Sequence, residues 1–362
     1  MDDPTIAAKL TSGGEALRRI LVVRLGAMGD VLHAMPAVDL LRQAQPGWDI
    51  GWVIESRWAP LLCVSGFPRS GAISPKRPLV NAVHVVDTRA WRKSLLSLDT
   101  YRAFSTSSKS MRALKYDIAL DFQGSIKSAI FAKLSSAESI IGFEQPREYA
   151  ASMFYSQKIS TSMAHVVDQN FALSRHVVGD AKAPPRVTLP IDSRAEAWVT
   201  ARLAEIGVSK FAILAPTAGW KAKEWPTSKF GVVATELSRL GIASLINFGP
   251  GEERIAEEVR AASNGVAIPF ECDLSQLIAL TRRASLFIGG DTGPMHLAAA
   301  LNVPVVALFG PTDPARNGPY TARAKVLRSA KSVTSYSHVA ERDEGLVSIT
   351  PDEVLAAAAE ML

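Results

Sequence analysis

"LVVRLGAMGDVLHAMPAVDLLRQ", residues 21–43, starts as an uninterrupted apolar run and passes through Gly26-Ala27-Met28-Gly29-Asp30. It ends with apolar residues recurring at helical spacing. A continuous β-branched run marks a strand buried on both faces, and such strands belong to parallel sheets covered by helices. A strand feeding a helix through a glycine-flanked turn is the opening unit of a doubly wound sheet, whose ligands bind beyond the carboxyl ends of the strands. The turn is therefore expected to line a cleft, with a helix over 31–44 behind it. Asp30 has two readings at this point. It caps the helix, or its carboxylate takes the proton of an attacking hydroxyl. His33, three positions on, reads as a satisfied polar group.

The same grammar runs along the chain. In the first half strands are expected at 20–24, 50–54, 82–87, 117–121 and 138–142, with helices at 105–115 and 125–135. A second series has strands at 211–215, 242–248, 285–289 and 304–309, and helices near 227–240, 252–263, 274–284 and 294–302. Between the series, "GDAKAPPRVTLPIDS" (179–193) carries three prolines and a glycine among polar residues and reads as a linker. Two doubly wound, Rossmann-like domains follow, 1–185 and 186–362, facing a central cleft with one ligand on each side. The last stretch, 351–362, opens with Pro and Asp and then runs helical, a helix free to pack back on the first domain. No internal repeat or low-complexity tract is evident.

With 362 residues and 48% hydrophobic content the chain can bury a large core. No uncharged apolar run approaches the roughly 18–20 residues that span a bilayer, and the N-terminal stretch lacks an apolar signal core, so cytoplasmic residence is expected. Only Cys63 and Cys272 are present, far apart, which indicates two buried thiols and neither a disulfide framework nor a metal site. The net charge of +5 is unevenly placed. Residues 56–115 hold 11 Lys/Arg, Arg57 and Arg69 among them, against Asp87 and Asp99, while the remainder is net acidic. That segment suits an anionic partner or is a solvated charged face.

The second chemistry-bearing stretch is "SLFIGGDTGPMHLAAALNVPVVALFGPTDP", 285–314. Its strand ends in Gly289-Gly290-Asp291-Thr292-Gly293 and a helix starts near Pro294, where a missing N–H costs nothing. Free N–H groups and the helix dipole there form an anion site that glycines let a phosphate approach, with Asp291 at the mouth and His296 below it. The alternative is a turn in which Thr292 or Asp291 merely caps the helix. "LAPTAGWKAKEWP" (214–226) offers Lys221 and Lys223 to a diphosphate, and "NFGPGEERIAEE" (247–258) offers Glu252 or Glu253 to ribose hydroxyls or to a helix cap. There is no G-x-G-x-x-G after the first strand, no G-x-x-x-x-G-K-[ST], no G-x-S-x-G and no H-E-x-x-H, so dinucleotide oxidoreductase, P-loop and serine hydrolase chemistry are excluded. No D-x-D pair offers to hold a metal on a sugar nucleotide. Leaving-group charge then falls to helix ends and lysine. No recognisable nucleic-acid motif accompanies the basic segment.

"RLGAMGDVLHAMPAV" (24–38) together with "GGDTGPMHLAAALNVPVVALFGPTDP" (289–314) resembles the ADP-heptose:lipopolysaccharide heptosyltransferases, inverting family 9 glycosyltransferases of GT-B fold. "YDIALDFQGSIKSA" (116–129), "PREYAASMFY" (146–155) and "HVVDQNFAL" (165–173) resemble the heptosyltransferase I branch, which adds the first heptose to the Kdo unit on lipid A. The resemblance covers about residues 20–315 and implies Asp30 as general base beside Gly29, with Lys223 at the donor diphosphate. Gly29, Thr217, Asp291, Thr292, Gly293, His296 and Glu252 or Glu253 fall on the donor side. Lys127, Arg147, Arg57 and Arg69 are implied for an anionic Kdo-lipid acceptor. It implies an ADP-heptose donor, no cofactor or metal, no nucleic acid, and peripheral contact with the inner face of the inner membrane. The chain departs from the branch at Thr217-Ala218-Gly219-Trp220, where two adjacent threonines and an acidic pair are usual, and residues 1–19 have no counterpart. Rival expectations are a protein or other glycan as acceptor, and a noncatalytic sugar-nucleotide-binding paralogue.

Overall fold

A computed structural model describes residues 18–94, 97–179, 187–335 and 341–362. The expected boundary residue 185 and most of the N-terminal extension lie outside them. Contacts divide the chain into one unit of Met1–Met163 with Val167–Pro190 and another of Ala164–Val166 with Ile191–Leu362.

In the first unit the order is β1 (Arg19–Val23), α1 (Met28–Ala44), β2 (Asp49–Glu55), a 3-10 helix (Ser56–Leu61), β3 (Ala82–Val86), α2 (Thr88–Lys93) and α3 (Leu98–Ala113). Then come β4 (Ile118–Asp121), α4 (Ile126–Leu134), β5 (Ser139–Phe143), a 3-10 helix (Tyr149–Phe154), β6 (Gln157–Ile159) and α5 (Val166–Val178). All strand pairs are parallel and the sheet order is β3-β2-β1-β4-β5-β6. Ile20 to Val23 are fully buried, as the opening run requires of a central strand.

The second unit runs α6 (Ser193–Glu205), β7 (Phe211–Ala215), a 3-10 helix (Lys221–Lys223), α7 (Thr227–Arg239), β8 (Ala243–Phe248), α8 (Glu253–Ala262), β9 (Ile268–Glu271) and α9 (Leu274–Thr281). It closes with β10 (Leu286–Gly290), α10 (Gly293–Ala300), β11 (Val305–Phe309), α11 (Pro314–Asn317), β12 (Ala324–Arg328), α12 (Glu344–Ser348) and α13 (Pro351–Met361). Its parallel sheet has the order β12-β11-β10-β7-β8-β9. Alternate residues of its strands feed two cores. Phe211, Ile213 and Ala215 pack with α6, α9 and α10, whereas Ala212 and Leu214 pack with α7, α8 and α13. Helices on both faces explain why these strands read as unbroken apolar runs.

Counted from its own first strand, each sheet has the same order, 3-2-1-4-5-6, with a switch point between its first and fourth strands. Those are β1 and β4 in one unit and β7 and β10 in the other. The loops leaving each pair turn to opposite faces, and the crevice between them is where such sheets hold ligands.

Several expectations shift. The first helix begins at Met28 rather than 31, because Met28 is buried and the Asp30 carboxylate accepts a hydrogen bond from the Ala27 N–H at 2.9 Å, closing the first turn. β6, β9 and β12 are additional edge strands. Of the last helix, Val354, Ala357 and Ala358 enter the second unit's core beside Trp225 and Val233. Cys63 and Cys272 are free; Cys272 is only half-buried by surface, but its sulfur is enclosed and burial pushes the thiol up to about 12. Among the described residues no helix is long and apolar enough to cross a membrane.

His84 on β3 is buried, its Nε2 2.7 Å from the Tyr116 hydroxyl and its Nδ1 3.2 Å from Ser110 Oγ. Burial lowers its pKa to about 4. The unfolded chain, with an ordinary imidazole near 6.5, binds more protons than the native state between about pH 6.5 and 4, so stability is lost as the pH is lowered through that window. Denaturant titrations should show wild type losing about 3 kcal/mol relative to His84→Gln on going from pH 7 to 4, since each tenfold loss of proton affinity on folding is worth roughly 1.4 kcal/mol. A pH-independent difference between the two would refute the assignment.

Candidate functional site

In the first unit the site grows from the switch point. Gly26 leaves β1 beneath the Trp58 ring; a Cβ there would stand 2.7 Å from the indole nitrogen, so only glycine lets the ring close over the turn. Arg24, the residue after β1, is nearly buried and spans two groups. Its Nη2 lies 2.7 Å from Asp30 Oδ1, and its Nη1 donates to the Phe122 carbonyl in the turn after β4. Asp30 thus has one oxygen on a guanidinium and the other on the Ala27 N–H, with about a third of its side chain exposed. Capping and chemistry are not alternatives here. Each carboxylate oxygen has a second lone pair, and two fixed donors hold the group in one orientation. His33 is buried in α1, and its carbonyl accepts from Asn170.

Around this turn stand the basic residues. Arg57 follows β2 and lies 4.6 Å over the Trp58 ring. Burial and, behind it, the neighbouring Arg89 push the Arg57 guanidinium below its ordinary value. Lys127, on the first turn of α4, donates to Thr88 Oγ1 at 3.0 Å and stands 3.7 Å from the buried Glu55, which also accepts from the Thr88 hydroxyl. The Arg147 backbone rests on Gly124, in the turn after β4. These three therefore share the carboxyl rim of the sheet with Asp30. Arg69 does not join them: its carbonyl accepts from Val83 at the opposite, N-terminal end of β3.

In the second unit the switch point carries a different set. Lys223 Nζ sits 2.7 Å from Asp291 Oδ2 and 4.5 Å over the Trp220 ring, and His296 Nε2 is 3.1 Å from Asp291 Oδ1. All three titratable groups are largely buried. Burial alone would raise the Asp291 carboxyl, but the hydrogen bond and charge of His296 and the Lys223 ammonium outweigh it and hold the group well below the usual carboxylate range. Gly290 makes the junction possible, since a Cβ there would meet the Lys223 carbonyl at 3.0 Å. Thr292 precedes α10 with extended backbone and no side-chain hydrogen bond to the helix's first N–H groups. The capping alternative therefore fails, and Gly293 starts an eight-residue helix whose N-terminus carries roughly +0.5 charge. Lys223 is already paired, so the turn offers an oriented set of donors more than a bare positive charge.

Thr217 is half-buried in the loop after β7. Glu252 accepts from Gly249 N at 2.7 Å and stands close enough to Glu224, one residue past Lys223, to add to the burial that raises the Glu224 carboxyl. Glu253 is fully exposed and accepts from Gly251 N at 3.0 Å. Gly29 is half-buried inside the first turn of α1. Among the described residues no cluster of three or more His, Cys, Asp or Glu is placed to hold a metal. Sequence reasoning passed over Arg24, Glu55, Thr88, Arg89 and Gln123; the available signal was that each closes a strand or lies within a few residues of one end.

The chain matches the model of glycosyltransferase family 9 (heptosyltransferase) over residues 105–345. It is 27% identical over 317 residues to lipopolysaccharide heptosyltransferase 1 of Escherichia coli (strain K12), covering 86% of this chain and 94% of that one. Among solved structures it is similar to E. coli heptosyltransferase WaaC with ADP, at 25% identity and a TM-score of 0.76, over 95% of this chain and all of that one. For the same enzyme with ADP-2-deoxy-2-fluoro heptose the values are 26% and 0.73, over 94% and 99% of the chains.

Removing one member of the buried pair leaves Lys223 uncompensated, which costs roughly 3 kcal/mol. A carboxyl depressed in the folded state contributes stability above its unfolded pKa, near 3.9, and loses it as pH falls toward the folded value. Chemical denaturation should therefore find Asp291→Asn less stable than wild type at pH 7 and the gap narrowing below about pH 4; a gap that persists unchanged at pH 3 would contradict the assignment.

Proposed function

The chain belongs to glycosyltransferase family 9, the heptosyltransferases, and on that premise we propose that it moves heptose from ADP-heptose to a Kdo hydroxyl of a Kdo-lipid A acceptor, inverting the anomeric centre. Its fold is GT-B, a heptosyltransferase of lipopolysaccharide synthesis in outline. The observation that carries the finer reading is the division of chemistry between the two switch points: an oriented carboxylate at one, and a paired lysine beside an uncapped helix end at the other.

A single displacement asks for those two things. Asp30 takes the proton of the acceptor hydroxyl as that oxygen bonds to the anomeric carbon, and the bond from that carbon to the diphosphate oxygen breaks with its electron pair leaving on ADP. Lys223 and the N–H groups at the start of α10 meet the charge that develops there, with no metal required. Asp291 and His296 hold Lys223 in place rather than touching the phosphates. Glu252, beside the Lys223 loop, is the better placed of the two acids for the donor ribose. The first unit binds the acceptor and the second the donor. Arg57, Lys127 and Arg147 suit an anionic lipid headgroup, and the basic face of 56–115 suits peripheral contact with the inner face of the inner membrane.

Asp30→Asn keeps the shape of the turn and removes the base. It should lower kcat by roughly 10²- to 10⁴-fold while calorimetry finds ADP-heptose binding unchanged. Equal loss of donor binding would remove the role. Offering ADP- and UDP-sugars with a Kdo-lipid and determining the product's anomeric configuration by NMR tests donor, acceptor and inversion together; a retained configuration, or a UDP-sugar as sole donor, would overturn the corresponding part.

A further inference from the structure

Resting on the reading of Asp30 as the base, we propose that the turn after β4 is the device that aims it, with Gln123 and Asp121 as positioning residues. Asp121 ends β4 with no exposed surface. It collects four donors: Gln123 N at 2.9 Å and Gly124 N at 3.1 Å on Oδ1, and Ser128 Oγ at 2.9 Å and Tyr155 OH at 2.7 Å on Oδ2. A carboxylate so satisfied makes the 122–125 turn rigid from beneath.

The turn then directs two acceptors at the segment after β1. Gln123 Oε1 accepts the Leu25 N–H at 2.9 Å, and the Phe122 carbonyl accepts Arg24 Nη1. Leu25 is held from its other side as well, its carbonyl accepting Glu55 N at 3.0 Å, and the Arg24 carbonyl accepts Trp52 Nε1 at 3.0 Å. A guanidinium is planar, so seating Nη1 on Phe122 fixes where Nη2 points. Nη2 points at Asp30 Oδ1, 2.7 Å away. The Leu25 N–H can only donate, so it takes the oxygen end of the amide, and Gln123 Nε2 is left to donate to Ser125 Oγ at 2.9 Å.

A buried aspartate at a strand end is ordinarily a turn staple and nothing more. Here two outward acceptors of the stapled turn, the Phe122 carbonyl and Gln123 Oε1, go to the one segment that leads into Asp30. The same turn supports the acceptor side: Glu148 N donates to the Gly124 carbonyl at 2.9 Å, with Arg147 next in the chain. The turn thus sets the base and its basic neighbour from one rigid element.

Gln123→Ala and Gln123→Glu test this in the full chain, with Asp30→Asn alongside, using ADP-heptose and a Kdo-lipid acceptor. Gln123→Ala should lower kcat about tenfold, the scale of a small misplacement of a reacting group. Its KM for donor and its thermal midpoint should stay near wild type. Gln123→Glu, which keeps an oxygen opposite Leu25 N, should recover most of the loss. In the Asp30→Asn background Gln123→Ala should cause no further loss, because there is no base left to aim. Wild-type kcat in Gln123→Ala, or equal loss in both Gln123 variants with a matching fall in thermal midpoint, would overturn the positioning role while leaving the base intact. Wild-type kcat in Asp30→Asn would instead overturn the base itself.

Discussion

A parallel sheet wound outward in two directions from one central pair of strands must part its loops at that pair, and Arg24, Asp30, Lys223, Asp291 and His296 all stand at such a parting. In the first unit the pair is β1 and β4, joined in register from Ile20 with Ile118 to Val23 with Asp121. In the second it is β7 and β10, with Ala215 opposite Gly289. The register decides which side chains meet. It brings Lys223 and Asp291, 68 residues apart, into one ion pair, and sets Arg24 against the turn that follows Asp121. Helices on both faces then bury the strands, so the rims are the places where polar groups emerge in numbers.

Charges so placed add little to stability on balance. Desolvating a lysine and an aspartate as deeply as Lys223 and Asp291 costs about as much as their attraction returns, and an apolar pair of similar shape would hold the fold as well. What the pair contributes is direction: an ammonium on a flexible four-carbon stem is confined by a carboxylate, a carbonyl and an indole face. Arg24 serves Asp30 in the same way but at a wetter site, where one partner keeps over a third of its side-chain surface in solvent.

The central strands and both glycine-flanked turns were legible because their signals are local: an apolar run with glycines at its carboxyl end, followed by helical spacing. Three of the four edge strands were not; the fourth, Ala82–Val86, carries an apolar run of its own. Gln157–Ile159 is three residues long, Ile268–Glu271 contains Pro269, and Ala324–Arg328 is partly exposed, since a strand with one neighbour need not be apolar on both faces. Asp30, Lys223, Asp291 and His296 could be singled out as residue types in turns, yet their partners could not. Arg24 reads as the polar end of a strand until the turn folds back, and Gln123 matters through one side-chain oxygen whose target lies 98 positions away. Arg69 shows the converse error: it shares the basic segment with Arg57, but intervening chain carries it to the other end of β3. Charge density along a sequence says nothing about which rim of a sheet receives it.

The bare backbone at Gly290 bears on how this scaffold can change. A methyl group there would press at 3.0 Å on a carbonyl belonging to the neighbouring loop, and a carbonyl within a packed backbone has little room to yield. Saturation mutagenesis of that codon should therefore return few folded clones, whatever selection is imposed. At Gly219, only a few residues before Lys223, a Cβ would meet nothing within 4 Å. Drift and laboratory evolution alike have their latitude in that stretch.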